Sequence, residues 1–286
     1  MDKNLNILLT GGSGVLGSEL KQHWKNLEAP CKDKLDIRDG SNVKKYFEGI
    51  DPDIIIHAAA MTNNREVELD PVAAIETNVS GTINMVRASL SSESRFVYIS
   101  TDYVYPGIDG NYAEDDPVLP FNLYAWTKLA GEAVVKKLKN YLIIRTSFSP
   151  VIFPYEVAFS DKWASKEYVD ELVPEILKVS MSSVIGTINL GGERASIYDF
   201  AARRSPNIRE ISIKDSEFKT PKDTSLNLQK WFEFKQLENN SEIVTECRIC
   251  NNSKLVSYLD LGMMPLANGL MNDAQATSSV EKFNLN

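Results

Sequence analysis

The turn Thr10-Gly11-Gly12-Ser13-Gly14-Val15-Leu16-Gly17 constrains this chain more than any other segment. It follows a short apolar run, Leu5-Asn6-Ile7-Leu8-Leu9. It precedes apolar residues at helical spacing: Val15, Leu16, Leu20, Trp24 and Leu27. Strand, glycine turn and helix in that order form the entry unit of a dinucleotide-binding fold. Gly11 and Gly14 allow the tight turn and let backbone N–H groups approach a phosphate, while Gly17 lets the helix pack closely on the strand. The positive end of the helix dipole then faces the pyrophosphate. Ser13, Val15 and Leu16 lie in the same turn and are expected to line the cradle.

The rest of the chain alternates in a way that suits this entry. Asp53-Ile54-Ile55-Ile56-His57-Ala58-Ala59-Ala60 reads as a buried strand running into small residues. Pro71 to Leu90 reads as a helix, Arg95 to Ser100 as a strand, Tyr124 to Leu138 as a helix and Tyr141 to Thr146 as a strand. Glu171 to Val179 looks helical and Thr187 to Leu190 extended. Apolar runs without alternation fit strands covered on both faces. Their succession with helices requires right-handed crossovers and a parallel sheet. The expected fold is therefore α/β: a Rossmann-like doubly wound parallel sheet with a small substrate-binding portion. Residues 1–238 should form the dinucleotide-binding domain, with the substrate-binding portion from about residue 148. Residues 239–286 read as a polar tail of different composition.

Bulk properties narrow the partners. Of 286 residues, 43% are hydrophobic and 24% charged, an ordinary soluble balance. The net charge of -8 gives no support for a nucleic-acid surface. No apolar run approaches the roughly 20 residues that cross a bilayer. The N-terminus enters a strand pattern without a basic-then-apolar leader, and the three cysteines do not make a disulfide framework. A cytoplasmic protein with a small-molecule substrate, no nucleic-acid partner and no membrane partner is expected. A homodimer is compatible with the sequence.

The adenosine end of the cofactor falls to Leu35-Asp36-Ile37-Arg38-Asp39. Asp36 is the best candidate for the ribose hydroxyls, with Ile37 beside it. Lys32, Lys34 and Arg38 could accept a 2′-phosphate, so NADH and NADPH both remain open.

Catalytic chemistry points to Tyr124 and Lys128. Four residues apart, they share one face of a helix. A phenol with a pKa near 10 is a poor acid–base group at neutral pH unless a cation stabilises its phenolate, and a lysine one turn away supplies one. Thr101 ends a predicted strand, where parallel sheets place ligands, and its hydroxyl could bond the reacting oxygen.

On these residues the chain resembles the extended short-chain dehydrogenases/reductases. It is most similar to their dTDP-4-dehydrorhamnose reductase group. The motifs that carry the resemblance are Thr10–Gly17, Ala58-Ala59-Ala60-Met61-Thr62, Thr77-Asn78-Val79-Ser80-Gly81-Thr82 and Ser100-Thr101-Asp102-Tyr103. Tyr124–Lys128 with Leu129-Ala130-Gly131-Glu132, Arg145-Thr146-Ser147, Gly191-Gly192-Glu193 and Pro221–Asn227 complete them. Together they cover about residues 5–235. The resemblance implies NADH or NADPH as cofactor and a nucleotide-linked 4-keto-deoxysugar as substrate. Hydride goes to C4, with Thr101, Tyr124 and Lys128 as the catalytic trio and Tyr124 as proton donor. Lys128 would lower the phenol pKa and hold the nicotinamide ribose. Asn78 joins Ala58, Ala59 and Ala60 among the cofactor-binding residues. In related 4,6-dehydratases an Asp-Glu pair follows the threonine. Here Tyr103 follows Asp102, which disfavours dehydration and leaves epimerisation open. Between Phe148 and Tyr168 the chain is shorter than the family's substrate-binding excursion, and some relatives bind dinucleotide as regulatory subunits.

The remaining reactive residues read more simply. His23 is expected at the surface, His57 as a satisfied, partly buried histidine, and Cys31 as a packed thiol. Glu114, Asp115 and Asp116 read as a solvated acidic loop. Cys247-Arg248-Ile249-Cys250 is half of a tetrahedral zinc site, and no Cys or His follows it in this sequence. The stretch around Leu259–Asn268 is similar to the zinc-binding start of sugar C-methyltransferases. The chain thus reads as a reductase joined to the beginning of such an enzyme.

Overall fold

The apolar runs become parallel strands because helices cover both of their faces. The computed structural model describes residues 5–216 and 219–240. Its first part runs β1 (Ile7–Thr10), α1 (Val15–His23), β2 (Leu27–Glu28), α2 (Gly40–Phe47), β3 (Ile54–His57), α3 (Asn64–Leu69) and α4 (Pro71–Ile75). A π-helical turn (Glu76–Ser80), α5 (Gly81–Ser89), β4 (Arg95–Thr101), α6 (Leu123–Val135) and β5 (Tyr141–Thr146) follow. The later part holds β6 (Phe148–Ser149), β7 (Val157–Phe159), β8 (Trp163–Ala164), β9 (Glu167–Tyr168), α7 (Val169–Ser180) and β10 (Gly186–Leu190). It closes with β11 (Ala195–Ser196), α8 (Ile197–Ala202), β12 (Arg209–Ile211) and α9 (Gln229–Asn240).

Six strands form one sheet in the order β10-β5-β4-β3-β1-β2. Every neighbouring pair is parallel. Successive side chains point to opposite faces. Ile7, Leu9, Ile54, Ile56, Val97 and Ile99 pack against Leu16 and Leu20 of α1 and Leu172, Val173 and Ile176 of α7. Leu8, Ile55, Phe96, Tyr98 and Ile143 pack on the other side against Val43, Met85, Val86 and Val135. The sheet is thus doubly wound. Its strand order reverses between β1 and β3, and ligands of open parallel sheets bind beyond the strand ends at such a switch point.

Three helices differ from the sequence pattern. The helix expected over Val15–Leu27 stops at His23. Trp24 is extended (φ -134, ψ 118), its indole N–H donates to the Leu5 carbonyl at 3.3 Å, and Leu27 pairs with Ile7 in the edge strand. Trp24 and Leu27 do pack on the core, as their spacing suggested, but from outside the helix. Pro71–Leu90 forms one rod interrupted by the π-helical turn. Pro71 occupies the first turn, where it displaces no helical hydrogen bond, and Asp70 caps the end through the Ala73 N–H at 3.0 Å. The last helix begins at Leu123 because Asn122 caps it, accepting from the Ala125 N–H at 2.9 Å.

The smaller portion is stitched from short ribbons: β11 with β8, β12 with β7, and β6 with β9. Phe153, Ala158, Ala164, Tyr168, Ile197, Phe200 and Ile208 form its core. Spatially the chain divides into Met1–Gln236 and Leu237–Asn286. Among the described residues no helix is long and apolar enough to cross a membrane.

Candidate active site

One cavity of about 1960 Å³ runs from the glycine turn, past the ends of β1, β3, β4 and β5, to the small portion. A site for one small ligand is typically about 300–1,000 Å³, so this one has room for two.

At the first end, β1 delivers the glycine turn. Gly11 has φ +80, and a Cβ there would lie 2.7 Å from the Ala59 nitrogen. A Cβ on Gly17 would overlap the Gly11 carbonyl oxygen. Both positions therefore require glycine. Gly14 meets nothing but that same carbonyl and is the N-cap of α1, with no side chain capping the helix. The first N–H groups of α1 have no intrahelical partner, and the residues that carry them line the cavity. Gly11, Ser13, Gly14, Val15, Leu16, Asp36, Ile37, Ala58, Ala59 and Ala60 all line the cavity. Asp36 is held below the usual carboxylate range, chiefly by its hydrogen bond from Arg38. The Arg38 fork engages both Asp36 oxygens, at 3.0 and 2.7 Å.

Asn78 does not line the cavity. Its Oδ1 accepts from Met61 N at 2.7 Å, and its Nδ2 donates to Met61 O and Thr127 Oγ1 at 3.0 and 2.9 Å. The π-helical turn aims it inward, where it positions the segment after Ala60 against α6. Cys31 is exposed rather than packed, because it follows the two-residue edge strand β2 and lines the adenosine end of the cavity. Glu114 is no solvated loop residue either: its Oε1 accepts from Asn189 N at 2.8 Å and its carbonyl accepts from Arg145 at 2.9 Å.

His57 is fully buried and satisfied. Nδ1 lies 2.7 Å from Thr10 Oγ1 and Nε2 lies 3.0 Å from Thr82 Oγ1. Thr82 gives its proton to the Asn78 carbonyl at 2.7 Å, which makes Nε2 the donor and Nδ1 the acceptor. Burial, with the nearby Lys128 charge, pulls its pKa down to about 3, so it stays neutral. His23 is at the surface beside Glu19.

At the centre, β4 ends in Thr101 and the cap of α6 fixes Tyr124. All of Thr101, Tyr124 and Lys128 face the cavity. The phenol pKa is raised, not lowered. Burial is the main cause, Asp102 adds to it, and the neighbouring Thr101 hydroxyl opposes. The Lys128 ammonium lies 4.0 Å above the Tyr98 ring. Burial brings it down to about 7 against the pull of Glu132. Glu132 is bonded by Ser100 at 2.6 Å and by the buried Arg145 at 2.8 Å, which braces α6 on β4 and β5.

The second end adds Lys162 and Lys166, which the sequence did not single out, to Asp102 and Tyr103. Asp102 is buried, and burial raises its pKa. Its carboxylate accepts from Thr224 at 2.6 Å and Thr101 at 3.1 Å. Lys162 Nζ donates to Tyr103 Oη and Thr220 Oγ1, both at 2.6 Å. Lys166 Nζ donates to the Phe148 carbonyl at 3.0 Å. Thr146, paired with Thr101 in the sheet, has a buried hydroxyl without a hydrogen-bond partner and lines the cavity.

These features fit a nicotinamide dinucleotide. The turn leaves no room for side chains where a pyrophosphate would approach, and an unpaired hydroxyl waits near the reacting groups. No cluster of His, Cys, Asp and Glu among the described residues could hold a metal. Cys247 and Cys250 lie outside the described residues.

Comparison with known proteins agrees. The family model described as RmlD substrate binding domain matches residues 5–151. A second model, described as "Putative zinc binding domain", matches residues 247–286. Methionine adenosyltransferase 2 subunit beta of Pongo abelii is 28% identical over 200 residues, covering 61% of this chain and 59% of that protein. dTDP-4-dehydrorhamnose reductase of Streptomyces griseus is 35% identical over 148 residues, 49% of each chain. The chain thus spans about half to three-fifths of the length of these curated relatives. The crystal structure of dTDP-4-dehydrorhamnose reductase from Bacillus anthracis in complex with NADP superimposes with a TM-score of 0.72. It is 28% identical and covers 83% of this chain and 93% of its own. The chain belongs to the RmlD substrate binding domain family.

Proposed function

We propose that this family member is an NAD(P)H-dependent reductase of a nucleotide-linked 4-keto-deoxysugar. One observation carries the reading: Thr101, Tyr124 and, one turn on, Lys128 line the same cavity as the glycine turn. The bound cofactor supplies the hydride. Tyr124, kept protonated by its burial, gives its proton to the oxygen that gains negative charge at C4. Thr101 orients the carbonyl through its hydroxyl. Lys128 places a cation where the phenolate forms, and its charge steadies that phenolate until solvent restores the proton. The NADP complex of the Bacillus anthracis structure and the reductase relatives support this reading.

A second reading is a non-catalytic dinucleotide-binding subunit. The longer matches to proteins named as a subunit beta favour it. The two part company in one assay: loss of NADPH absorbance with a panel of nucleotide-linked 4-ketosugars. Turnover with any panel member supports the reductase. NADPH binding without turnover across the whole panel supports the subunit.

A further inference from the structure

Lys162 and Lys166 are used by none of the chemistry above, and their surroundings are unbalanced. The neighbouring carboxylates are committed elsewhere. Asp161 accepts from Ser212 Oγ at 2.6 Å and Ile213 N at 2.7 Å. Glu167 pairs with Arg203 at 2.8 Å, and Asp223 pairs with Arg194 at 2.7 Å. Asp102 is the carboxylate within electrostatic reach of both lysines. Its oxygens already accept from Thr224 and Thr101, and burial favours its neutral form. Among the described residues, these two cations thus face at most one negative charge.

An ammonium carries three donors. The hydrogen bonds to Tyr103, Thr220 and Phe148 leave one donor on Lys162 and two on Lys166. Both residues line the cavity, as Thr101 does. We propose that Lys162 and Lys166 form an anion subsite that takes the sugar-linked phosphate of a nucleotide-linked substrate. The proposal rests on the reductase reading for the identity of the anion. In a 4-keto pyranose the carbon bearing the phosphate lies across the ring from C4. A phosphate held beside Asp102, the neighbour of Thr101, therefore leaves the carbonyl near Tyr124. Uncompensated burial is costly for a cation, and burial brings both lysines down to about 8. An arriving dianion relieves that cost. The Phe159 ring beside Lys162, and Phe153 elsewhere in the lining, offer aromatic surface for the rest of the nucleotide.

The test is calorimetric titration of thymidine diphosphate, thymidine and glucuronic acid into the full chain saturated with NADP. The same titrations are run on K166Q and K162Q. The diphosphate should bind well above the nucleoside, and each substitution should weaken it by about 10-fold or more. Affinity for NADP and thermal midpoint should hold, most clearly in K166Q, whose removed ammonium bonds one carbonyl. Equal binding of nucleoside and diphosphate, or unchanged diphosphate affinity in both variants, overturns the proposal. Lysine-dependent binding of glucuronic acid without a diphosphate effect also overturns it and assigns the subsite to a sugar carboxylate. Failure of NADP to bind counts against the reductase reading, while the lysine dependence of diphosphate binding still decides the subsite.

Discussion

The two ends of the long cavity are built by different means. The dinucleotide end is backbone: a glycine turn, the start of α1 and three alanines, with side chains kept out. The substrate end is side chain: Asp102, Tyr103, Lys162, Lys166 and Thr224, brought together by short ribbons. Geometry at the first end is set by contacts a few residues apart, such as Gly14 N to Gly11 O at 3.0 Å. At the second it is set by contacts such as Thr224 to Asp102, 122 residues apart. On the proposed function, the first end takes a ligand shared by many proteins and the second decides which substrate meets it. Between them stand Thr101, Tyr124 and Lys128.

The largest effect should come from the brace that both ends share. Glu132→Ala leaves the buried Arg145 without its counter-charge, a loss of about 3–5 kcal/mol. For a domain of this size the thermal midpoint should drop by roughly 6–20 °C. A shift under about 2 °C would mean that the pair does not hold the two ends together.

The comparison sharpens with Gly17→Ala. The added Cβ overlaps the Gly11 carbonyl, so the turn must open, at a cost of about 1–3 kcal/mol in stability. NADPH binding should be lost in fluorescence titration, while thymidine diphosphate still binds at the other end. Loss of both ligands would show that the ends are not separable.

Thr146→Val should have a smaller effect with a telling sign. Its hydroxyl has no partner, so stability should stay level or rise slightly. NADPH affinity should fall about 5-fold, near 1 kcal/mol, as the hydroxyl is lost to the ligand. A lowered thermal midpoint would contradict the unpaired state.

The smallest effect is a pH slope at the substrate end. Lys162 and Lys166 sit at about 8 in the fold and near 10.4 unfolded. Between those values the unfolded chain binds more protons, so stability rises with pH. The gain is complete above about 10.4 and is lost as pH falls through about 8. The thermal midpoint of K166Q should therefore climb less than wild type between about pH 8 and pH 10. Parallel curves would place Lys166 in solvent.

How much of this was legible in the sequence follows the same division. The glycine turn, the parallel strands and the Thr101, Tyr124, Lys128 constellation rest on local spacing, and all three sit where that spacing puts them. His57 was read correctly as a satisfied histidine because a strand end beside small residues leaves it little solvent. Trp24 and Leu27 misled because an apolar residue serves a helix face and an edge strand equally well. Asn78 looked like a ligand contact, yet the π-helical turn directs it to Met61 and Thr127. Lys162 and Lys166 were not legible at all. Each precedes a strand of only two residues, β8 and β9, so no periodicity announces where they point.

The most direct test is a single-turnover measurement with NADPH and a nucleotide-linked 4-keto-6-deoxyhexose, comparing the intact protein with Tyr124→Phe. The intact protein should oxidise one NADPH per sugar. The variant should bind NADPH equally well and react about 10²–10⁴-fold more slowly. Full binding of both ligands by the intact protein with no loss of NADPH absorbance would contradict the assignment of Tyr124 and of the reductase itself.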